Sequence, residues 1–306
     1  GFTLIELLVV LVILGLLAAF AAPQVLNYLG RAKTDAAKAQ AKPLGIAKDV
    51  GEFKQKVEPF FVYYIRNLIL DNVDGEFDRF GQRRIQRVHT LYQGGLNIYT
   101  SLDPAWQDYA QDAVDASTAI HPEKNSPDVS LVSVRATDGA IKAMLSGKNY
   151  NRDQYDLVWR GTRQVGSAFK PFTLVAAFEQ GFPQGKVYSS KSPLCNLEGW
   201  RSESGCVSNA EGAGDGGYLD LWGATQNSVN VVFAQLALEV GPEHIVDVAN
   251  RMGITVGLDA VPSITLGVAE VPTMDMAAAF ATLANDGKRC NAWAVRRVEF
   301  ANAPKE

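Results

Sequence analysis

The most continuous apolar stretch of the chain lies at its start. Residues 2–22 are nearly all apolar, and Glu6 carries the only charge among them. At ~1.5 Å of rise per residue, a helix of this length spans the ~30 Å hydrocarbon core of a bilayer, so the pattern predicts a transmembrane helix. A carboxylate within such a run is costly and implies a partner, unless Glu6 simply lies at the membrane interface.

Beyond residue 42 the apolar positions recur with the periods of ordinary helices and strands. The helices predicted from this period and from cap-like starts are 57–70, 168–180, 220–226, 231–240, 242–252 and 273–285. Alternating apolar residues on either side of Thr137-Asp138-Gly139 predict a β-hairpin within 128–147, and 292–300 is a further possible strand. Segments 148–163 and 191–217 are predicted to be loops, the second one mobile. The mixture predicts an α+β fold.

The candidate chemistry begins in segment 164–173, Gln-Val-Gly-Ser-Ala-Phe-Lys-Pro-Phe-Thr. Ser167 and Lys170 are three positions apart at the start of a predicted helix, so both side chains lie on one face. A serine hydroxyl becomes a good nucleophile when an adjacent base removes its proton, and a lysine whose pKa is lowered by burial can be that base. Alone the spacing is weak, because a helix N-terminus with a solvated lysine shows the same pattern.

A second element lies downstream, where Ser228-Val229-Asn230 separates two predicted helices. Serine enzymes that recognise penicillin combine S-x-x-K with S-x-N and a K-T-G strand. The sequence around these residues resembles the transpeptidase domain of class A penicillin-binding proteins. It reads G-S-A-F-K-P-F in the first element and Q-N-S-V-N-V-V-F in the second. By itself, Ser228-Val229-Asn230 could also be a turn serine and a helix-capping asparagine.

Segment 92–107 resembles the junction between the glycosyltransferase and transpeptidase halves of the same family. Its G-G-L-N-I-Y-T-S-L-D-P run implies a short strand followed by a helix, with Asp103 as N-cap and Pro104 as the first helical residue. The resemblance implies a penicillin-recognising, β-lactamase-like transpeptidase fold. In that fold the hairpin at 128–147 begins a central antiparallel sheet, and the Ser167 helix packs on it. No glycosyltransferase activity is implied, because residues 40–57 leave no space for that domain.

The resemblance implies acyl transfer through a serine ester. Ser167 would attack the carbonyl between the terminal D-alanines of a peptidoglycan stem peptide, and β-lactams would acylate it in the same way. Lys170 would accept the proton of Ser167, Ser228 would relay a proton to the leaving amine, and Asn230 would bind the amide of the substrate. An acceptor amine gives a cross-link, whereas water gives carboxypeptidase activity.

The third element of the family is missing from the sequence. The triplets beginning at Lys33 and Lys191 read Lys-Thr-Asp and Lys-Ser-Pro, so neither supplies the glycine of K-T-G or K-S-G. In the family that strand provides an oxyanion donor, and losing one donor typically costs ~10²–10³ in rate. We therefore expect a C-terminally truncated transpeptidase fold, with loss of activity as one expected consequence.

The N-terminal run also has its own family resemblance. The start, Gly-Phe-Thr-Leu-Ile-Glu, resembles that of type IV pilins, and the continuation to about residue 40 resembles type II secretion pseudopilins. The resemblance implies cleavage after Gly1, N-methylation of Phe2, and pairing of Glu6 with the N-terminal amine of a neighbouring subunit. It places a single-pass chain in the inner membrane with its bulk in the periplasm, although the basic residues after the run favour the opposite orientation.

The amino-acid composition argues against several classes of function. An apolar content of 47% and a charged content of 20% are typical of a folded protein, and a net charge of −4 without a basic stripe argues against nucleic-acid binding. Three scattered histidines make a metal site improbable, and no cofactor is implied. Cys195 and Cys206 bracket a polar loop and could form a disulfide in an extracytoplasmic domain, whereas spacing alone cannot establish the pairing.

These observations predict four segments: a pilin-like membrane helix at 1–41, a linker at 42–56, a junction at 57–120 and a partial transpeptidase domain at 121–306. Two functions from different classes follow. One is a peptidoglycan D,D-transpeptidase, and the alternative is a pseudopilin-like filament subunit with the rest as cargo. The two families do not normally share a chain, so an artificial fusion is a third reading.

Overall fold

The computed structural model describes residues 58–120, 128–147, 150, 154–202, 204–210 and 216–300. The predicted membrane helix lies outside these residues, as do Gly1, Phe2 and Glu6. Within the described part, no helix combines the length and the apolar character needed to cross a bilayer.

The first described elements surround the predicted junction. They are helix α1 (Pro59–Asp71), a 3₁₀ turn (Asp78–Phe80), helix α2 (Arg84–Gln93), strand β1 (Leu96–Thr100) and helix α3 (Pro104–Ile120). The strand followed by a helix is as predicted, and the Asp103 carboxylate accepts a hydrogen bond from the Ala105 amide at 3.2 Å. Helix α2 was not predicted, although Ile85, Val88 and Leu91 recur at helical spacing within its mostly polar sequence.

The predicted hairpin is confirmed. Strands β2 (Ser130–Val134) and β3 (Ile141–Ser146) pair antiparallel, and the turn between them is closed by a hydrogen bond from Gly139 N to Arg135 O at 2.8 Å. The possible strand at 292–300 is strand β10 (Val295–Phe300), which pairs antiparallel with β1. Hydrogen bonds from Ile141 N to Trp293 O and from Asp103 N to Lys142 O join the two pairs of strands, both at 3.0 Å.

The second half of the described chain is mainly helical. Its elements in order are β4 (Thr162–Gln164), a 3₁₀ turn (Gly166–Phe169), α4 (Lys170–Glu179), β5 (Val187–Ser189), β6 (Leu194–Cys195), β7 (Cys206–Val207), β8 (Tyr218–Asp220), α5 (Leu221–Gln226), α6 (Asn230–Val240), α7 (Pro242–Met252), a 3₁₀ turn (Pro262–Leu266), β9 (Glu270–Pro272) and α8 (Thr273–Ala284). The predicted helices appear within two residues of their expected ends, except that the first turn at Ser167 is 3₁₀.

Segment 191–217 differs from its prediction as a mobile loop. It contains the antiparallel pair β6–β7, and a disulfide joins Cys195 to Cys206 with their Cα atoms 4.0 Å apart. Strands of two residues are too short to show a period in the sequence, whereas the disulfide is the pairing that the sequence left open for Cys195 and Cys206. The polar composition of this segment therefore indicated a loop where the structure has a covalently closed hairpin.

Two buried clusters organise the interior. The sheet-side cluster includes Phe61, Ile69, Leu70, Ile141, Met144, Met274 and Val298, and the helix-side cluster includes Phe169, Phe172, Val231, Phe233, Leu236, Ile245 and Ala279. Helix α4 packs against α6, α7 and the 262–266 turn, whereas α8 packs on β2. The expectation that the Ser167 helix packs on the hairpin is not met, since Phe169 and Phe172 belong to the helix-side cluster.

Candidate active site

Lys170 occupies the centre of the site. It is the first residue of α4, and only 3% of it is exposed. Its ammonium Nζ donates to Ser228 O at 2.7 Å, to Ser228 Oγ at 2.9 Å and to Asn230 Oδ1 at 2.8 Å. The same nitrogen lies 5.1 Å from the centroid of the Phe233 ring. A nearly fully buried amine is thus surrounded by neutral acceptors and an aromatic ring.

Burial changes the acidity of this amine. Removal from water disfavours the charged form and lowers the pKa of Lys170 to about 8, from an ordinary value near 10.4. At pH 7 roughly a tenth of the molecules would then carry a neutral amine, a far larger share than for a lysine in water. A neutral lysine has a lone pair that can accept a proton.

The two Ser228 oxygens that accept from Lys170 belong to a strained turn between α5 and α6. Ser228 has a φ of +51°, a left-handed conformation that is uncommon outside glycine. Hydrogen bonds from Ser228 N to Thr225 O at 3.1 Å and from Val229 N to Ala224 O at 2.9 Å hold this turn. The left-handed residue directs both its carbonyl and its hydroxyl oxygen to Lys170. Strain of this kind persists where the surroundings enforce it, and it is often found at functional sites.

Ser167 lies in the 3₁₀ turn before α4 and is exposed. Its carbonyl accepts the backbone N–H of Lys170. Among the described residues, its hydroxyl makes no hydrogen bond to another side chain or to the backbone. The structure therefore joins Lys170, Ser228 and Asn230 directly by hydrogen bonds and sets Ser167 one turn away on the same segment.

The position of the Ser167 turn is fixed by a close backbone contact. Gly166 N donates to Gly267 O at 3.1 Å, and a Cβ atom added to Gly267 would lie 2.0 Å from Gly166 O. Within α4, the buried Thr173 hydroxyl donates to the Thr265 hydroxyl at 2.8 Å. The 262–267 segment thus contacts both the Ser167 turn and α4. The sequence alone did not identify these residues, because they lie about a hundred positions downstream of Ser167.

The site also depends on the segment after the disulfide. Asn230 Nδ2 donates to Ser208 O at 3.0 Å, and Val231 N donates to Asn209 Oδ1 at 3.0 Å. Cys290 is a free cysteine away from this region. Among the described residues, no group of three or more His, Cys, Asp or Glu side chains is arranged to hold a metal ion.

An exposed serine one turn from a buried lysine, with a second serine and an asparagine on that lysine, is the side-chain set of active-serine acyltransferases. Comparison with known proteins agrees with this class. Residues 129–306 match the model of the penicillin binding protein transpeptidase domain, and residues 1–22 match the prokaryotic N-terminal methylation motif. The chain belongs to the penicillin-binding protein transpeptidase family.

The relatives support the same assignment. The chain is 32% identical over 231 residues to penicillin-binding protein 1A of Mycobacterium tuberculosis, and 28% identical over 207 residues to penicillin-binding protein 2D of Bacillus subtilis. These alignments cover 70% and 68% of this chain but only 26% and 29% of the relatives, so the chain spans less than a third of their length.

A solved structure supports the fold. PonA1 of Mycobacterium tuberculosis in complex with penicillin V is similar to this chain, with a TM-score of 0.63 and 30% identity. The match covers 78% of this chain and 63% of that one.

Proposed function

We propose that this chain acts as a serine D,D-transpeptidase on the D-Ala-D-Ala ends of peptidoglycan stem peptides and is acylated by β-lactams. Membership of the transpeptidase family supports the reaction class. The observation that carries the proposal is the buried Lys170 amine, which lies within hydrogen-bonding distance of both Ser228 and Asn230. An amine with a lowered pKa can act as a general base near neutral pH.

In the proposed reaction, the neutral Lys170 amine takes the proton of the Ser167 hydroxyl. At the same time, the Ser167 oxygen bonds to the carbonyl carbon of the penultimate D-alanine. The peptide bond to the last D-alanine then breaks. Ser228 passes a proton from Lys170 to the leaving amine, and Asn230 binds the peptide amide. The amine of a second stem peptide then attacks the carbonyl carbon of the serine ester and forms the new peptide bond. The proton that this amine loses passes through Lys170 to the Ser167 oxygen as the ester bond breaks. With water as the attacking group, the outcome is hydrolysis.

Labelling with a fluorescent penicillin tests the proposal. We expect covalent label on Ser167 in the wild-type chain, none in Ser167→Ala, and unchanged label in the matched variant Ser133→Ala. Lys170→Ala should slow labelling by about 10²–10⁴-fold, the usual contribution of a general base. The reaction is followed over a long incubation, so that slow acylation is also detected. Equal label in Ser167→Ala, or no label on the wild-type chain, would contradict the proposal.

We propose a second role for the N-terminal segment, supported by the methylation motif matched at residues 1–22. In this role a prepilin-type peptidase cleaves after Gly1, Phe2 is N-methylated, and Glu6 pairs with a neighbouring chain during filament assembly at the inner membrane. Mass spectrometry of the N-terminal peptide should find methylated Phe2. Cross-linked oligomers should be lost in Glu6→Gln. An unmodified N-terminus together with a monomer in the membrane would exclude this role.

A further inference from the structure

Helix α6 begins without a cap of its own. The N-cap residue is Val229, whose side chain has no acceptor, so it cannot bind the first-turn amides. Helix N-termini leave these N–H groups unsatisfied unless a side chain, water or ligand accepts them. Here the acceptor comes from a distant part of the chain, because Asn209 Oδ1 accepts from Val231 N at 3.0 Å. Asn209 therefore replaces the missing cap from 22 positions upstream.

Asn209 is itself held at two further points. Its Nδ2 donates to Ser190 O at 3.3 Å, and its backbone N donates to Ser192 Oγ at 2.8 Å. It also follows the β6–β7 hairpin, which the disulfide between Cys195 and Cys206 closes. The residue is thus an anchored bridge between the end of β5 and the first turn of α6.

The same segment orients the amide of Asn230. Asn230 Nδ2 donates to the carbonyl of Ser208, the residue before Asn209, at 3.0 Å. With the nitrogen held there, the amide oxygen of Asn230 faces Lys170 Nζ at 2.8 Å. Displacement of the 208–209 segment would remove the contact that holds the nitrogen end of this amide. The orientation of the Asn230 amide, which accepts from Lys170, therefore depends on the 208–209 segment, which makes no hydrogen bond to Lys170.

We propose that Asn209 is a positioning residue for acyl transfer, which caps α6 from outside and fixes the Ser228–Asn230 turn around Lys170. This inference rests on the proposed function, since it assigns Asn209 to that reaction. Asn209 acts through Asn230 and the α6 backbone. Its removal should affect the acylation step itself, with the fraction of protein able to react left unchanged.

The test compares variants of the full chain by the time course of fluorescent-penicillin labelling. We expect Asn209→Ala to lower the limiting acylation rate constant by about tenfold at an unchanged labelling amplitude. Asn209→Asp keeps an oxygen that can accept from Val231 N but loses the donor to Ser190 O, so its rate constant should lie between those of wild type and Asn209→Ala. Asn285→Ala is the matched control, because the Asn285 amide contacts Lys288 and Cys290 and no residue of the site.

A wild-type rate constant in Asn209→Ala, or a loss confined to the amplitude, would overturn the inference. If Asn209→Ala does not fold, Asn209→Gln replaces it, because one added methylene displaces the amide oxygen from Val231. A tenfold slower reaction supports the inference, and a wild-type rate contradicts it.

Failure of the proposed function has a different signature, since the wild-type chain would then not label at all. Hydrogen exchange of the peptide 228–235 provides a readout that needs no labelling. Faster exchange in Asn209→Ala than in Asn285→Ala supports the capping role, and equal exchange contradicts it.

Discussion

At the scale of single residues, the Lys170 amine predicts a specific pH dependence. Its pKa of about 8 follows from burial, and only the neutral amine can accept the Ser167 proton. The acylation rate constant should therefore rise with pH and level off above a midpoint near 8 instead of the ordinary ~10.4. Stopped-flow or quenched labelling between pH 6 and 10 measures this midpoint. A flat profile, or a midpoint near 10, would show that Lys170 is not the base.

The same group predicts how stability changes with pH. Since the pKa of Lys170 is lower in the folded chain than in the unfolded chain, the unfolded chain binds the proton more tightly. The cost of burying the charged amine is fully present below about pH 8 and is relieved as pH rises towards ~10.4. In urea unfolding, this gain should be present in the wild-type chain and absent in Lys170→Met. An equal gain in both chains would assign it to other groups.

Gly267 predicts a second effect at the residue scale. Its φ of +71° suits glycine, and an added Cβ would overlap the Gly166 backbone. Gly267→Ala should lower the free energy of unfolding by more than about 2 kcal/mol and slow acylation, because the Ser167 turn must move. Gly257→Ala is the matched control, since its added Cβ meets nothing within 4 Å. Equal unfolding midpoints in urea for the two variants would contradict this account.

Residue spacing identified the side chains around Lys170 because S-x-x-K and S-x-N are short local patterns. It did not identify Asn209 or Gly267, whose importance comes from contacts between distant segments. A capping asparagine looks like any loop asparagine in the sequence, and a glycine that permits a close approach looks like a turn glycine. Information of this kind appears only when the chain is folded.

At the scale of secondary-structure elements, Gln107 of α3 closes one edge of strand β3. Its amide donates to Met144 O at 3.0 Å and accepts from Met144 N at 2.8 Å, and only 2% of the residue is exposed. Gln107→Ala would leave both backbone groups buried and unsatisfied, so we expect a loss of about 2–4 kcal/mol in the free energy of unfolding. The measurement is urea unfolding followed by circular dichroism.

Gln111 is the matched control for this prediction, one turn further along α3. It is exposed, and its amide donates to Asp115 at 2.8 Å. Gln111→Ala should change the free energy of unfolding by no more than about 0.5 kcal/mol. If the two variants were equally stable, the pairing of Gln107 with Met144 would not contribute to the sheet.

Long helices were predictable at this scale, and short paired strands were not. Helix α7 has the ends that its amphipathic period and Pro242 indicated, and the hairpin β2–β3 has the turn that Asp138-Gly139 indicated. The pairs β5–β8 and β6–β7 have three and two residues per strand, which is too few for a period. Their existence depends on tertiary hydrogen bonds and on the disulfide.

At the scale of the whole molecule, helix α8 joins the two buried clusters. Met274 in its first turn belongs to the sheet-side cluster, and Ala279 one and a half turns later belongs to the helix-side cluster. Met274 N also donates to Val158 O at 2.9 Å. Helix α8 contributes side chains to both clusters. We therefore expect the two clusters to unfold together, although most of their side chains come from different parts of the chain.

Met274→Ala tests this coupling. Removing a buried methionine should cost about 2–5 kcal/mol, and the loss should appear in both clusters if unfolding is cooperative. Hydrogen exchange of peptides from α1 and from α6 reports the two clusters separately, and both should lose protection by the same free energy. Leu283→Ala is the control, because Leu283 lies on the same helix and is 39% exposed. A loss confined to α1 would mean that the sheet side opens independently, and that the proposed acyl-transfer site on α4 and α6 does not depend on the hairpin for its stability.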